Sequence, residues 1–379
     1  MSRSGRTRAR WLAPVVAAGT IIGGTALARS ADADQPLPAR SAEQLLVDLQ
    51  TAERTPLSGT ITDTVDLGLP ELPDDLTGGA DSASAAGLLT GEYTWRVWTD
   101  GADSSRLSLL GQAAETNIVR TGDDVWIWSS ESQTATHKRI DPQAHEGAEQ
   151  SDQTVPRTPQ EAAQWALQRL DPSTQVTSEG AATVAGRAAY ELVLTPRDQA
   201  TRVKQVRLAI DAEKKVPLRV QVLSTKTSAV ALRVGFSSVS FDTPPAGTFE
   251  FTPPPGATVV QAPEHTADQD PAKTDPATRP ATDQPVTTGT GWATVLAGRV
   301  PDQAVGDHPM VREESTGPDD ASSAQSGQEL LALLPTASGA WGTGRVLDGT
   351  LFSAVITDDG RYAVGAVAPE ALYAALPPQ

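Results

Sequence analysis

The sequence predicts a mainly β (α+β) protein: an antiparallel sheet covered by short helices, with a small C-terminal α/β module after a disordered linker. Three observations carry this expectation. From Val176 to Val260 apolar and polar residues alternate at period two. Two short segments, opening at Ser41 and Thr158, instead place apolar residues at helical spacing behind capping sequences. From Gln261 to Gly289 large apolar side chains nearly vanish, while Pro, Asp and Thr abound.

The central strands are the clearest. Tyr190, Leu192 and Leu194 alternate with Ala189, Glu191 and Val193, and Val206, Leu208 and Ile210 with Arg207, Ala209 and Asp211. After a turn over Asp211–Pro217, Leu218, Val220 and Val222 share one face and Arg219 and Gln221 the other. Val230, Leu232, Val234 and Phe236 repeat the pattern. Successive strand side chains point to opposite faces, so this is antiparallel sheet with one apolar and one wet face. Gly186 serves the turn before Tyr190. Pro253, Pro254 and Pro255 cannot donate to a ladder and are expected to close the sheet.

Upstream, Ser41 and Gln44 form a capping box, and Ala42, Leu45, Leu46, Leu49 and Ala52 fall on one helical face. Ile61, Val65 and Leu67 against Thr60, Thr62, Thr64 and Asp66 predict a strand. Residues 69–91 read as a long loop rich in Pro, Asp, Gly and Ser. Strands are expected at Glu92–Thr99 and Arg106–Leu110, then a hairpin from Asn117 to Trp128 turning at Thr121–Asp124. Residues 142–156 are again loop-like. Thr158-Pro159-Gln160-Glu161 opens a second helix with a capping box and Pro at its first position, and Asp171-Pro172 stops it. Ala162, Trp165, Ala166 and Arg169 line one side of that helix, beside Ala163, Leu167 and Leu170.

Beyond the linker, Trp292–Val300 reads as a strand and Gln328–Leu334 as a short helix capped at Ser326. Phe352–Val367 reads as a hairpin turning at Asp359-Gly360, and Pro369–Leu376 as a last short helix. The expected division is therefore a signal peptide or N-terminal membrane anchor at 1–33, the main domain at 41–260, a disordered linker at 261–290 and a small module at 291–379. A further disordered loop is expected inside that module, over about 301–325.

Bulk properties restrict the function. A hydrophobic fraction of 39% with Gly 31 and Pro 29 is low for one globule of 379 residues and points to sizeable unstructured segments. A net charge of −17 argues against nucleic acid as a partner, because phosphate neutralisation needs clustered Lys and Arg. The absence of cysteine removes disulfides, thiolate metal sites and a lipid-modified N-terminal Cys. Arg3, Arg6, Arg8 and Arg10 precede an uncharged run from Trp11 to Ala28, and Ala26-Leu27-Ala28 and Ala31-Asp32-Ala33 have the form of cleavage sites. This reads as an export signal, so the chain is expected to be extracytoplasmic: periplasmic, or on the outer face of the cytoplasmic membrane if the run is kept as a tether.

No catalytic or metal site is expected. His145, His265 and His308 lie in loop or linker segments, and His137 lies at a strand end beside Lys138 and Arg139. No pair has metal-ligand spacing, and there is no Gly-x-Ser-x-Gly elbow. Gly342-Thr343-Gly344 lacks the third glycine of a dinucleotide site and reads as a loop, so no cofactor is expected.

The order helix, strands, helix, strands, ending in Phe249, Phe251, Pro253, Gly256 and Val259, resembles the LolA-like family of periplasmic lipoprotein carriers. It also resembles a relative of that family, the N-terminal domain of the RseB/MucB-type sigma-factor regulators. The Glu92–Trp98 strand, the Ile118–Trp128 hairpin (with Thr121 where the family has Asp) and Leu208–Val220 carry the match over Ser41–Val260. The resemblance implies an incomplete antiparallel β-barrel, a half-barrel curled around an apolar hollow with helices across its mouth. It also implies acyl chains of lipid or lipoprotein as ligand. Trp95, Trp98, Trp126 and Trp128, with Leu107 and Leu109, are then the acyl-chain pocket candidates, and Arg96 resembles the family arginine that helps close the helical lid. The alternatives, rings that are simply core and an arginine that is simply solvated, stay open at this point. The function expected from this resemblance is a non-catalytic carrier of lipid or lipoprotein acyl chains, with a membrane-bound envelope protein or transporter as a further partner; a signalling module that binds a membrane regulator is the alternative, and a secreted hydrolase a distant third.

Overall fold

In the computed structural model, which describes residues 37–69, 90–111, 114–140, 157–168, 170, 172–262, 285–299 and 331–376, the chain enters through helix α1, Ala42–Thr51. Its capping box is formed: the Ser41 hydroxyl accepts from the Gln44 amide at 3.3 Å, and Gln44 Oε1 accepts from the Ser41 amide at 3.0 Å. Strands β1 (Leu57–Asp66), β2 (Thr90–Thr99), β3 (Ser104–Leu110), β4 (Glu115–Thr121), β5 (Asp124–Ser129) and β6 (Thr134–Arg139) follow. Helix α2 spans Pro159–Leu167. Then come β7 (Thr174–Val184), β8 (Arg187–Pro196), β9 (Val203–Asp211), β10 (Pro217–Ser224) and β11 (Val230–Ser240). A 3-10 turn at Ala246–Phe249 leads to β12 (Thr258–Gln261).

These strands form one twelve-stranded sheet in the order β12-β6-β5-β4-β3-β2-β1-β11-β10-β9-β8-β7. The first strand is central because β11 returns beside it, pairing Ser58 with Ser240 and Val65 with Leu232. The hairpin turn between β7 and β8 is two residues, Ala185 and Gly186, both at positive φ (50° and 76°), the backbone that matches strand twist. The sheet is open but curled, and β7 touches β11 across the three strands between them. The inner face is the core: Ile61, Trp95, Leu192, Leu194, Leu208 and Leu218 are all buried there with Leu45 of α1 and Ala162, Ala163 and Ala166 of α2. The fold class read from the sequence is thus the observed one.

Two local expectations are corrected. The prolines after Phe251 do not end the sheet. The chain crosses the outer face and adds β12 at the far edge, parallel to β6, with Thr258 beside Thr134 and Gln261 beside His137. Strand β6 follows β5 directly through Ser130–Gln133, where Gln133 takes a φ of 51°. The α2 cap is not a closed box either: Thr158 Oγ1 accepts from the Glu161 amide at 3.2 Å, but the Glu161 carboxylate accepts from the Arg157 amide at 2.9 Å.

The second sheet has the order β13-β14-β18-β17-β16-β15. Its strands are β13 (Val286–Thr288), β14 (Val295–Arg299), β15 (Thr336–Gly339), β16 (Gly342–Asp348), β17 (Ser353–Thr357) and β18 (Arg361–Gly365), and helix α3 (Pro369–Ala375) packs on it. The hairpin turning at Asp359-Gly360 is present. Two expectations differ. Gly342-Thr343-Gly344 is strand rather than loop, and a Cβ at Gly344 would run into the Ile356 carbonyl, which explains the glycine there. Residues 286–288 pair with β14 although they fall within the predicted linker. The predicted segment at 1–33, loops at 70–89, 142–156 and 301–325, most of the 261–290 linker, Arg169, Asp171 and the start of the Gln328–Leu334 helix lie outside the described residues.

A buried charge pair braces the β8–β9 end of the first sheet. Asp211, fully buried at its side chain, accepts from Arg187 Nε and from Nη2 at 3.0 Å, and it caps the turn by accepting from the amides of Glu213 and Lys214. The carboxylate raises the Arg187 pKa further above its usual value, and the guanidinium also lies 4.7 Å from the Phe241 ring centroid. Asp211→Ala leaves Arg187 without its main partner and should cost about 3 kcal/mol of unfolding free energy. Urea denaturation followed by tryptophan fluorescence measures this, with an unchanged slope expected.

Candidate functional site

Strand register sorts the predicted pocket residues. Directly paired residues point to the same side, so Trp95 with Leu109, and Val97 with Leu107, stand on the inner face. Trp98, paired with Arg106, stands on the outer face. Trp126 and Trp128 are opposite Val119 and Asn117, which continue that outer face. Of the six candidates, Trp95, Leu107 and Leu109 are therefore together beneath the helices, while Trp98, Trp126 and Trp128 are on the reverse side. Arg96 also lies on the outer face, away from α1 and α2.

The inner face under α2 holds a polar cluster that the sequence reading passed over. Asp63 of β1 pairs with Tyr93, which puts it between Ile61 and Val65 on the apolar side at 6% exposure. The cue was present: period two places residue 63 with 61 and 65, not with the threonines. Burial pushes its pKa up to about 8. The facing Trp95 indole N–H opposes that rise, the Glu161 charge adds to it, and Arg157 lowers it. Yet Asp63 Oδ1, Trp95 Nε1 and Arg157 Nε are each buried without a formed hydrogen bond. Arg157, just before α2, lies over the Trp95 ring at 5.6 Å from its centroid. The cation near the helical lid is thus Arg157.

Around this cluster the apolar wall is closed. Ile61, Leu192, Leu194, Val206, Leu208 and Leu218 show 0% exposure and Trp95 1%. Such side chains touch protein on all sides, so helices and sheet meet directly. Part of the closure comes from far along the chain. Trp292, in a 3-10 turn (Gly291–Ala293) rather than the predicted strand, inserts into this same core. Its Nε1–H donates to Thr174 Oγ1 at 2.8 Å, and its ring meets Trp165 of α2 edge-on at 6.5 Å.

Trp292 is one of several ties between the two sheets. Thr201 bridges to Val367, the Arg202 amide donates to the Ala366 carbonyl at 2.7 Å, and Ser224 Oγ donates to the Thr350 carbonyl at 2.6 Å. Asp348 receives Arg202 at 2.6 Å and Lys226 at 2.9 Å. The second sheet has its own core of Val295, Trp341, Val355, Ala363 and Leu372, with Trp341 stacked on Tyr373 at 5.0 Å.

On the outer face, the segment between β11 and β12 lies across β3–β5 as a strap. Thr121 Oγ1 donates to the Phe249 carbonyl at 2.9 Å, Arg106 Nη1 to the Thr248 carbonyl at 3.3 Å, and the Phe251 ring sits 5.5 Å from Trp126. Trp126 in turn stacks on His137 at 4.4 Å. His137 Nε2 contacts Asp124 Oδ1, and Nδ1 contacts Gln261 Oε1, each at 2.9 Å. The Phe-x-Phe-Thr-Pro-Pro motif thus covers Trp126. Among the described residues no group of three or more His, Asp or Glu could hold a metal ion, and no helix is long and apolar enough to cross a membrane.

The fold and this site define a class: a curled, open antiparallel sheet with helices closing its inner face and a second sheet docked at one end. Within that class, the family model of the MucB/RseB N-terminal domain matches residues 86–257 of the chain, in line with the sequence resemblance. Among solved structures, MucB in the Pseudomonas aeruginosa MucA/MucB complex is similar at 17% identity, covering 89% of this chain and 97% of that one, with a TM-score of 0.43. A Thermus thermophilus conserved protein is 16% identical over 58% of this chain and 99% of its own, with a TM-score of 0.33. A LolA superfamily protein from Nitrosomonas europaea is 12% identical over 56% and 99%, with a TM-score of 0.22. No curated protein matches the chain.

Asp63 sets a pH dependence. Its folded pKa lies above the ordinary carboxylate value of 3.8, so the folded state holds a proton that the unfolded chain releases. Its contribution is fully present below about pH 4 and is lost progressively as pH rises to about 8. Asp63→Asn keeps the shape and removes the titration. It should stabilise the fold by about 2 kcal/mol or more at pH 8 and by roughly nothing at pH 4. Paired denaturation curves at the two pH values check this, and an equal effect at both would refute it.

Proposed function

We propose that this chain is a non-catalytic, exported binding protein of the cell envelope that engages a membrane-anchored regulator through its two sheets acting as one body. The observation that carries this reading is Trp292, which locks the second sheet into the core of the first. A carrier of acyl chains needs an accessible hollow and has no use for a docked second module. A regulator-binding protein gains from both features, since a composite surface held rigid loses little entropy when it binds. The MucB/RseB match at residues 86–257 supports the same reading.

The acyl-chain carrier is the second reading, and the make-up of the lid favours it. Helix α2 meets the sheet through Ala162, Ala163 and Ala166, and it sits over Asp63 Oδ1, Trp95 Nε1 and Arg157 Nε, all without hydrogen-bond partners. A lid held by small side chains above unsatisfied polar groups is cheaper to lift than one held by large ones. Each methylene of an entering chain would gain about 0.8 kcal/mol. In this reading Trp95, Leu107 and Leu109 touch the chain.

Chemical cross-linking of the full chain to the membrane fraction of its source cells, read by mass spectrometry, tests the proposal. Cross-links to one membrane-anchored protein are expected, at least about tenfold weaker with Trp292→Ala, a loss equivalent to about 1.4 kcal/mol. Native mass spectrometry of the same preparation should show the chain free of lipid. Stoichiometric co-purified lipid with no membrane-protein cross-link would replace this reading with the carrier.

A further inference from the structure

The outer face of the first sheet contains a cleft that the packing leaves open. Arg96, Trp98, Arg106, Ser108, Glu115 and Thr248 line a volume of about 390 Å³. That lies within the ~300–1,000 Å³ typical of small-molecule sites. The strap roofs one side through Thr248, and β2, β3 and β4 form the floor.

The floor is organised before any ligand arrives. Arg106 donates from Nε and Nη2 to Asn117 Oδ1 at 3.4 and 3.3 Å, and from Nη1 to the Thr248 carbonyl at 3.3 Å. Ser108 Oγ donates to the same Asn117 oxygen, and Asn117 Nδ2 donates to Glu115 Oε1 at 2.8 Å. These bonds hold the Arg106 guanidinium in one orientation with acceptors that carry no charge on the arginine's side.

Arg96 is different. It is exposed, and among the described residues it makes no hydrogen bond or ion pair. Other arginines of this sheet, Arg187, Arg207 and Arg219, each face a carboxylate. Arg96 pairs across the strands with Ser108 and Trp98 with Arg106, so the two arginines are diagonal neighbours at roughly 7–8 Å. Like charges at diagonal positions of neighbouring strands repel, and an anion reached by both side chains relieves that repulsion. The single carboxylate in the cleft, Glu115, sits on the β4 side and is engaged through one oxygen by Asn117. It leaves the cleft net positive in a chain of charge −17.

We propose that this cleft binds a small organic anion with a flat apolar body. Its oxyanion group sits between Arg96 and Arg106, where planar guanidinium forks match carboxylate or phosphate geometry. The body lies against Trp98, and a hydrogen-bond donor on it reaches the free oxygen of Glu115. The site is argued only from residues of β2–β4 and the strap, on the face opposite α1 and α2, and does not rest on the regulator-binding reading.

Fluorine NMR of the full chain labelled with 5-fluorotryptophan tests this, the Trp98 resonance being assigned by its loss in Trp98→Phe. The probes are 4-aminobenzoate and phenyl phosphate, with uncharged 4-aminobenzamide as control. A saturable shift of the Trp98 resonance is expected with at least one charged probe at up to about 10 mM. The control should leave it unmoved. Arg96→Gln, an exposed substitution that circular dichroism should find folded, is expected to weaken that binding at least about tenfold, with Arg96→Lys in between. No movement with either charged probe, equal movement with 4-aminobenzamide, or an undiminished response in Arg96→Gln would each overturn the proposal.

Discussion

A curled sheet of twelve strands has two faces, and each strand alternates between them, so covering both is the constraint on which the rest depends. Two short helices and Trp292 cover the inner face over β7–β11, β1 and β2. A strap of Pro-rich chain covers the outer face over β3–β5. The two covers differ in chemistry. The helices bury a continuous apolar wall, worth about 25 cal/mol for each Å² removed from water. The strap adds ring contacts and two backbone-directed hydrogen bonds, and beside them it leaves a polar recess. That asymmetry explains why one sheet can offer a closed interior and an open cleft a single peptide layer apart.

Within the inner face, Asp63 is the exception to its surroundings. A carboxyl at that depth stays neutral over most of the physiological range, and its neighbours Trp95 and Arg157 carry buried nitrogens without formed hydrogen bonds. Unmade polar contacts of this kind oppose the packing around them. They lie where α2 begins, beside the buried Pro159, Ala162 and Ala163. The Arg187–Asp211 pair is fully engaged, and its carboxylate also caps the turn by accepting from the Glu213 and Lys214 amides.

Much of the architecture was legible in the residues because period two is a strong signal wherever one face is apolar. Tyr190–Leu194, Val206–Ile210 and Leu218–Val222 lie where their alternation put them, and the Ser41 box caps α1 as written. What escaped detection depended on distance in the chain. Nothing local marks Thr258–Gln261 as a partner for β6, since parallel pairing across more than a hundred residues leaves no periodic trace. Trp292 looked like a strand residue because only the Thr174 and Trp165 it meets reveal its role. The tryptophans were recognisable as a set, but dividing them between faces required the register of β2 against β3 and of β4 against β5. Asp63 was readable and was read past, because a lone charge among threonines resembles an ordinary wet face.

The pairing of β1 with β11 has a consequence for how the protein is made. Ser58 waits for Ser240, so the middle of the sheet is closed only after strands β2–β10 have all emerged. Until then β1 presents a bare hydrogen-bonding edge with an oily side, the kind of surface on which chains stick to one another. Folding that depends on such distant contacts is slow. A holdase acting on the nascent or newly delivered polypeptide would therefore raise its yield more than it would for a protein built from neighbouring hairpins.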